Sequence, residues 1–102
     1  MKYNVVYTPD ALRQLDQLQR QISAAASPLI AQRYVAAIMR QCASLATFPL
    51  RGTKRDDVRP GLRVFGFRRR VLIGFRVAND RVVILGVLYG GQDFESLLRD
   101  EN

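Results

Sequence analysis

The chain has 102 residues, 48% apolar and 25% charged, with sixteen basic against nine acidic side chains and a formal charge of +7. That length supports one hydrophobic core, hence a single domain over 1–102. With no histidine and one cysteine, the sequence excludes a histidine base, a Ser-His or Cys-His nucleophile and an internal disulfide. It also lacks an ordinary zinc ligand set, so neither a metal nor another cofactor is expected.

The charge is concentrated. Ten of the sixteen basic residues lie between Arg51 and Arg81, opposed only by Asp56, Asp57 and Asp80, so this window carries the whole surplus of seven. A local positive field draws anionic partners, and both nucleic acid and an acidic protein segment satisfy it. Fourteen of the cations are arginine, whose planar fork suits phosphate and carboxylate, although an arginine-rich codon bias gives the same composition. No apolar run approaches the roughly 20 residues of a membrane helix, and the first residues are too polar for a secretory signal. A cytoplasmic protein without a membrane partner is expected. There is no Gly-rich phosphate loop, repeat or linker.

Residues 3–7 are a short run rich in β-branched and aromatic side chains and predict a first strand. Thr8-Pro9-Asp10 then signals a helix start: a capping hydroxyl, a proline where the N–H is dispensable, and a carboxylate at the positive helix end. Leu12, Leu15, Leu18 and Ile22 predict an amphipathic helix over about 9–24. Ser27-Pro28 repeats the start signal. Ala31, Tyr34, Val35, Ile38, Cys42 and Leu45 form the stripe of a second helix ending near Phe48-Pro49, with Cys42 as a buried structural residue. The short break between the helices predicts an antiparallel pair.

Residues 49–60 read as a polar loop with room for one strand-like turn. Strands are predicted over 62–67, 70–77 and 82–89, with a tight turn at Ala78-Asn79-Asp80. The near-continuous apolar run of the last strand marks it as central. Gly90-Gly91 breaks it, and 93–98 predicts a short terminal helix. The fold class is α+β. It is a four-stranded, mainly antiparallel sheet (strand 1, helical hairpin, three-strand meander), with strand 1 returning beside the last strand. Two helices pack on one face, leaving the other partly open.

This order and its punctuation resemble the RelE/ParE family of small toxins from bacterial toxin–antitoxin operons. The resemblance rests on Tyr7-Thr8-Pro9-Asp10-Ala11, Leu45 to Phe48-Pro49 with Gly52, and Gly61-Leu62-Arg63. Two strands extend it: Arg70-Val71-Leu72-Ile73-Gly74-Phe75-Arg76-Val77 and Val82-Val83-Ile84-Leu85-Gly86-Val87-Leu88-Tyr89. It spans roughly residues 2–95 and implies one of two activities, with a third reading beside them as an inactive member that only binds its partner or a plain nucleic-acid-binding module. In the RelE-like branch the toxin is a ribosome-dependent mRNA endonuclease whose basic residues stabilise charge on the scissile phosphate. In the ParE-like branch it inhibits DNA gyrase and catalyses nothing. Either implies a cognate acidic antitoxin that folds as it wraps the toxin into a hetero-oligomer.

For the nuclease branch the matching residues are Arg63, Arg70 and Tyr89. However, Leu72 stands where that branch usually has an arginine, and Gly90-Gly91-Gln92-Asp93 lacks its basic cluster. This departure favours the ParE-like branch. Candidate target- or antitoxin-binding residues are then Arg59, Arg63, Arg68, Arg69, Arg70, Arg76 and Arg81. Each has a plainer reading beside this one. Arg63 also fits a solvated strand cation, Arg68-Arg69-Arg70 a solubilising turn, and Arg76 a guard against sheet stacking. Tyr89 also fits an aromatic plug, whereas proton transfer would need its pKa lowered from about 10 by nearby arginines.

Overall fold

The structure, a computed structural model, describes residues 2–90 and Leu98. In chain order it contains β1 (Asn4–Tyr7), α1 (Pro9–Ala25), α2 (Pro28–Ala43), a 3-10 turn (Ser44–Ala46), β2 (Thr53–Lys54), β3 (Arg63–Phe67), β4 (Val71–Ala78) and β5 (Arg81–Tyr89). The sheet order is β1-β5-β4-β3-β2. β1 runs parallel to β5, and the other pairs are antiparallel. The sheet therefore has five strands, not four. The extra one is the two-residue β2, too short for any side-chain alternation to reveal it in a polar segment. The terminal helix predicted over 93–98 lies outside the described residues except at Leu98, which is helical and buried.

Both helix starts form as their sequences dictate. The Thr8 hydroxyl accepts from the Ala11 N–H at 3.1 Å, and the Ser27 hydroxyl accepts from the Ile30 N–H at 3.1 Å. Such caps contribute about 1 kcal/mol each. The buried face of α1 is Ala11, Leu15 and Leu18, with Ile22 packed beside them. Leu12 is 51% exposed, so the stripe begins at Ala11, one position earlier than leucine spacing suggests. The second helix also ends early. Its α-helical part stops at Ala43 and tightens into the 3-10 turn. There the Ser44 hydroxyl donates to the Gln41 carbonyl at 2.6 Å, and Pro49 prevents further continuation.

The helices cover one sheet face. Ile38, Leu45, Ile73, Phe75, Val82 and Ile84 are completely buried between the layers. Each such side chain contributes about 1.5–3 kcal/mol. The far face carries its own cluster of Val58, Leu62, Val64, Leu85, Leu88 and Leu98. Two of these come from the segment following β2, which closes on itself: Arg55 N–H donates to Leu62 O, and Leu62 N–H to Arg59 O. A bulge in β5 explains how that strand serves both faces. Gly74 pairs with Gly86 and Phe75 with Ile84, which leaves Leu85 as the extra residue.

Candidate functional site

The β3–β4 turn holds the densest run of cations. Arg68 and Arg69 adopt left-handed backbone conformations, φ 51° and 61°. The Arg70 N–H closes the turn on the Phe67 carbonyl at 3.2 Å. Two positive φ values are what a tight hairpin with the right-handed strand twist requires, a role usually given to Asn-Gly. Arginine is costly there, yet the conformation directs its side chains to the sheet's end. The Arg68 guanidinium lies over Phe67 at 4.9 Å and over Tyr34 of α2 at 5.5 Å, and those two rings meet edge to face.

Tyr89 reaches the same end. It pairs with Val71, and the Gly90 N–H donates to the Arg70 carbonyl at 3.0 Å, with Gly90 itself at φ 72°. Tyr34 stands beside this group. Its phenol pKa is raised, chiefly by burial and secondarily by Tyr89, while Arg68 and Arg70 pull the other way. The Tyr34 hydroxyl is buried and has no hydrogen-bond partner among the described residues.

Arg63 is elsewhere. It pairs with Phe75, four positions along β4 from the Val71 partner of Tyr89. At roughly 3.3 Å per residue that separates the two by about 13 Å along the sheet. Arg63 Nη1 donates to the Arg51 carbonyl at 3.3 Å. Thus Arg70 and Tyr89 come together and Arg63 does not join them.

The remaining predicted cations are dispersed. Arg81 begins β5, exposed, opposite Ala78 and Asn4. Arg76 sits between Phe75 and Val77, both of which pack into the helix-side core, so it projects from the far face. It is half-buried, and its Nε has no partner among the described residues. Arg59 belongs to the closed segment under that face. Arg55 is committed to Asp57 through two bonds of 2.9 and 2.8 Å, which hold that carboxyl below its usual range.

A groove that sequence reasoning did not single out opens between α2, the loop at Arg51-Gly52 and β3. Its volume is about 600 Å³, and Arg40, Arg51 and Arg68 line it. Arg51 Nη1 donates to Ser44 Oγ at 2.6 Å, and its guanidinium lies over Phe65 at 5.9 Å. Gly52 lets the chain pass: φ is 79°, and a Cβ there would meet the Val64 carbonyl oxygen at 2.3 Å. Arg40 carried no signal of its own in the sequence, being one polar residue on the outer side of an amphipathic helix.

Among the described residues no group of acids, cysteines or histidines could hold a metal ion, and no helix is long and apolar enough to cross a membrane. A family model for the ParE toxin of the type II toxin–antitoxin system, parDE, matches residues 5–94. No curated protein matches the chain. Among solved structures, the chromosomal ParDE TA system from P. aeruginosa is similar in fold, with a TM-score of 0.76 and 23% identity. That match covers 87% of this chain and 97% of that one. With its helical hairpin on a meander sheet and a match over almost the whole length, this chain belongs to the ParE toxin family of type II toxin–antitoxin systems.

Proposed function

We propose that the chain is a toxin that acts by binding, as an inhibitor of DNA gyrase, and that an acidic cognate antitoxin neutralises it. The observation that carries this reading is the separation of Arg63 from the Arg70–Tyr89 pair. A phosphoryl-transfer site needs its charge-stabilising and proton-transferring groups within hydrogen-bond reach of one phosphate. The backbones of Arg63 and Tyr89 lie about 13 Å apart along the sheet, and the Arg63 guanidinium is engaged with the Arg51 carbonyl. Family membership and the absence of a basic cluster at Gly90-Gly91-Gln92-Asp93 point the same way.

The antitoxin half of the reading rests on charge and surface. The Arg51–Arg81 window supplies the attraction that speeds capture of an acidic segment, and exposed apolar side chains such as Leu12, Leu29, Ile30 and Met39 offer area that slows release. The test is a supercoiling reaction with purified gyrase and the isolated chain. Loss of supercoiling without RNA cleavage is the expected result, and restoration of activity by the acidic product of the adjacent gene completes it. One observation favours a second reading. Arg70 and Tyr89 adjoin, so mRNA cleavage in a translating extract, abolished by Tyr89→Phe, would replace the gyrase proposal with a nuclease one.

A further inference from the structure

The groove between α2 and β3 has a composition that goes beyond the general positive charge on which the toxin–antitoxin reading rests. Three arginines from three separate elements line it: Arg40 from the last turn of α2, Arg51 from the loop after the 3-10 turn, and Arg68 from the β3–β4 turn. Among the described residues no acidic side chain lines it, and none of the three is paired with a carboxylate. Among the described residues, arginine meets a carboxylate at Arg13–Asp10, Arg20–Asp16 and Arg55–Asp57, all outside the groove. The groove is thus a place where positive charge is kept unspent.

Two of the three guanidinium groups are also pre-oriented. Arg51 is held by Ser44 Oγ and lies over Phe65, while Arg68 lies over Phe67 and Tyr34. A guanidinium backed by a ring on one face keeps its N–H edges and outer plane for a ligand. Less side-chain entropy is then lost on binding. Edges of this kind bind phosphate oxygens, and outer planes of this kind stack nucleobases. The groove also runs beside a stretch of β3 that no strand covers among the described residues, since β2 pairs with Arg63 and Val64. Its volume of about 600 Å³ is far more than one phosphate ion fills, and is in the range of a nucleotide-sized ligand.

We infer that this groove is a binding site for single-stranded nucleic acid, with Arg40, Arg51 and Arg68 on successive phosphates and the two ring-backed guanidinium groups against bases. An acidic peptide would use the charge but leave the outer planes idle.

The test is fluorescence anisotropy of a labelled twelve-nucleotide oligo-dT with the full chain across a salt series, beside an equally long poly-Glu peptide. Each of Arg40→Ala, Arg51→Ala and Arg68→Asn should weaken the oligonucleotide about tenfold. Each should also lower the slope of log K against log salt by about 0.7. Asparagine is chosen at Arg68 because it tolerates the left-handed backbone. Arg13→Ala and Arg20→Ala, on the outer face of α1, should change neither quantity. Phe65→Leu and Arg51→Lys keep the charge but remove the stack, and should weaken binding while leaving the salt slope intact. Thermal melts identify any variant that fails to fold, and the conservative pair then decides. Unchanged oligonucleotide binding in the triple variant overturns the proposal. So does poly-Glu binding as tightly as oligo-dT, or loss of affinity in the α1 controls equal to that in the groove variants.

Discussion

The Gln14 side chain of α1 accepts a hydrogen bond of 2.7 Å from the backbone N–H of Val87 in β5. The contact spans the two layers and has a clear cause. β1 pairs with β5 only from Arg81 to Ile84, and the ladder is carried one step further by Thr8 N–H donating to the Ile84 carbonyl. Beyond that point no strand lies beside the edge of the central strand among the described residues. The Thr8 hydroxyl reaches the Leu85 carbonyl at 3.3 Å, and Gln14 takes the next donor. Helix side chains thus stand in for the missing half of a strand.

Replacing Gln14 by leucine should therefore cost more than its half-exposed position suggests. It would leave a buried backbone donor unsatisfied, at about 1–3 kcal/mol. Gln14→Glu keeps an acceptor in place and should cost clearly less. Urea denaturation of the three proteins gives the difference, and hydrogen exchange at Val87 should accelerate in the leucine variant alone. Equal midpoints for all three would mean that the contact contributes nothing to stability.

Leu98 supplies the second relationship. Gly74 and Gly86 are partners across β4 and β5, and a Cβ on either would come within 2.6 Å of a Leu98 methyl. The two glycines make a depression in the far face, and the leucine fills it, 2% exposed. Leu98→Ala should destabilise the domain by about 2–5 kcal/mol, as for other fully buried leucines. Gly86→Ala should be harmful when Leu98 is present and much milder in the Leu98→Ala background. A double-mutant cycle measured by denaturation should give a coupling of about 0.5–3 kcal/mol. Additive effects would show that the leucine is not seated on the glycines.

How far the sequence reveals such features depends on whether the signal is local. Thr8-Pro9 and Ser27-Pro28 announce their helices because capping involves residues three apart, and both caps form. The return of β1 beside β5 follows from the apolar run at 82–89, which needs partners on both sides. The Gly74–Gly86 seat does not show, since it requires the pairing register and the bulge at Leu85 that shifts it. The far-face cluster is hidden for a related reason: Val58 and Leu62 are isolated apolar residues in a charged segment, and only its closure by Arg55 and Leu62 brings them under the sheet. Among the site residues, the Arg68-Arg69-Arg70 run is legible as a turn. Its joining with Arg40 and Arg51 depends on α2 crossing that end of β3, which no spacing encodes.

Tyr7 and Cys42 should make the fold sensitive to alkali. They share a side-chain hydrogen bond beneath α2; Cys42 is buried and Tyr7 half-buried, and the acid pKa values of both are raised, in each case chiefly by desolvation. A raised folded-state pKa means that the native state holds its proton more tightly than the unfolded chain. The associated stability is complete below the ordinary values, near 9 for the thiol and 10 for the phenol, and declines as pH rises above them. Melting temperature should be flat from about pH 7 to the thiol's ordinary value and fall beyond it. Tyr7→Phe should be less stable at neutral pH through loss of the bond, with a shallower alkaline decline. A decline equally steep in that variant would assign the titration to other groups.

The Arg68-Arg69 turn should trade stability against binding. Each non-glycine residue held in the left-handed region costs about 1 kcal/mol, and such strain persists where it serves a function. Arg69→Gly removes one such cost, and Arg69 makes no ring contact among the described residues to offset the gain. The variant should melt higher by about 4–8 °C for each kcal/mol recovered. Arg68→Asn relieves the same strain but loses the guanidinium over Phe67 and Tyr34, worth about 0.5–1 kcal/mol, so its melting temperature should scarcely move. Its affinity for oligo-dT should nevertheless fall. Calorimetry on the two variants with the binding titration separates the effects: a more stable Arg69→Gly with Arg68→Asn impaired only in binding identifies the strain at Arg68 as maintained for its ligand. A less stable Arg69→Gly would instead mean that the left-handed turn is comfortable with arginine and carries no functional implication.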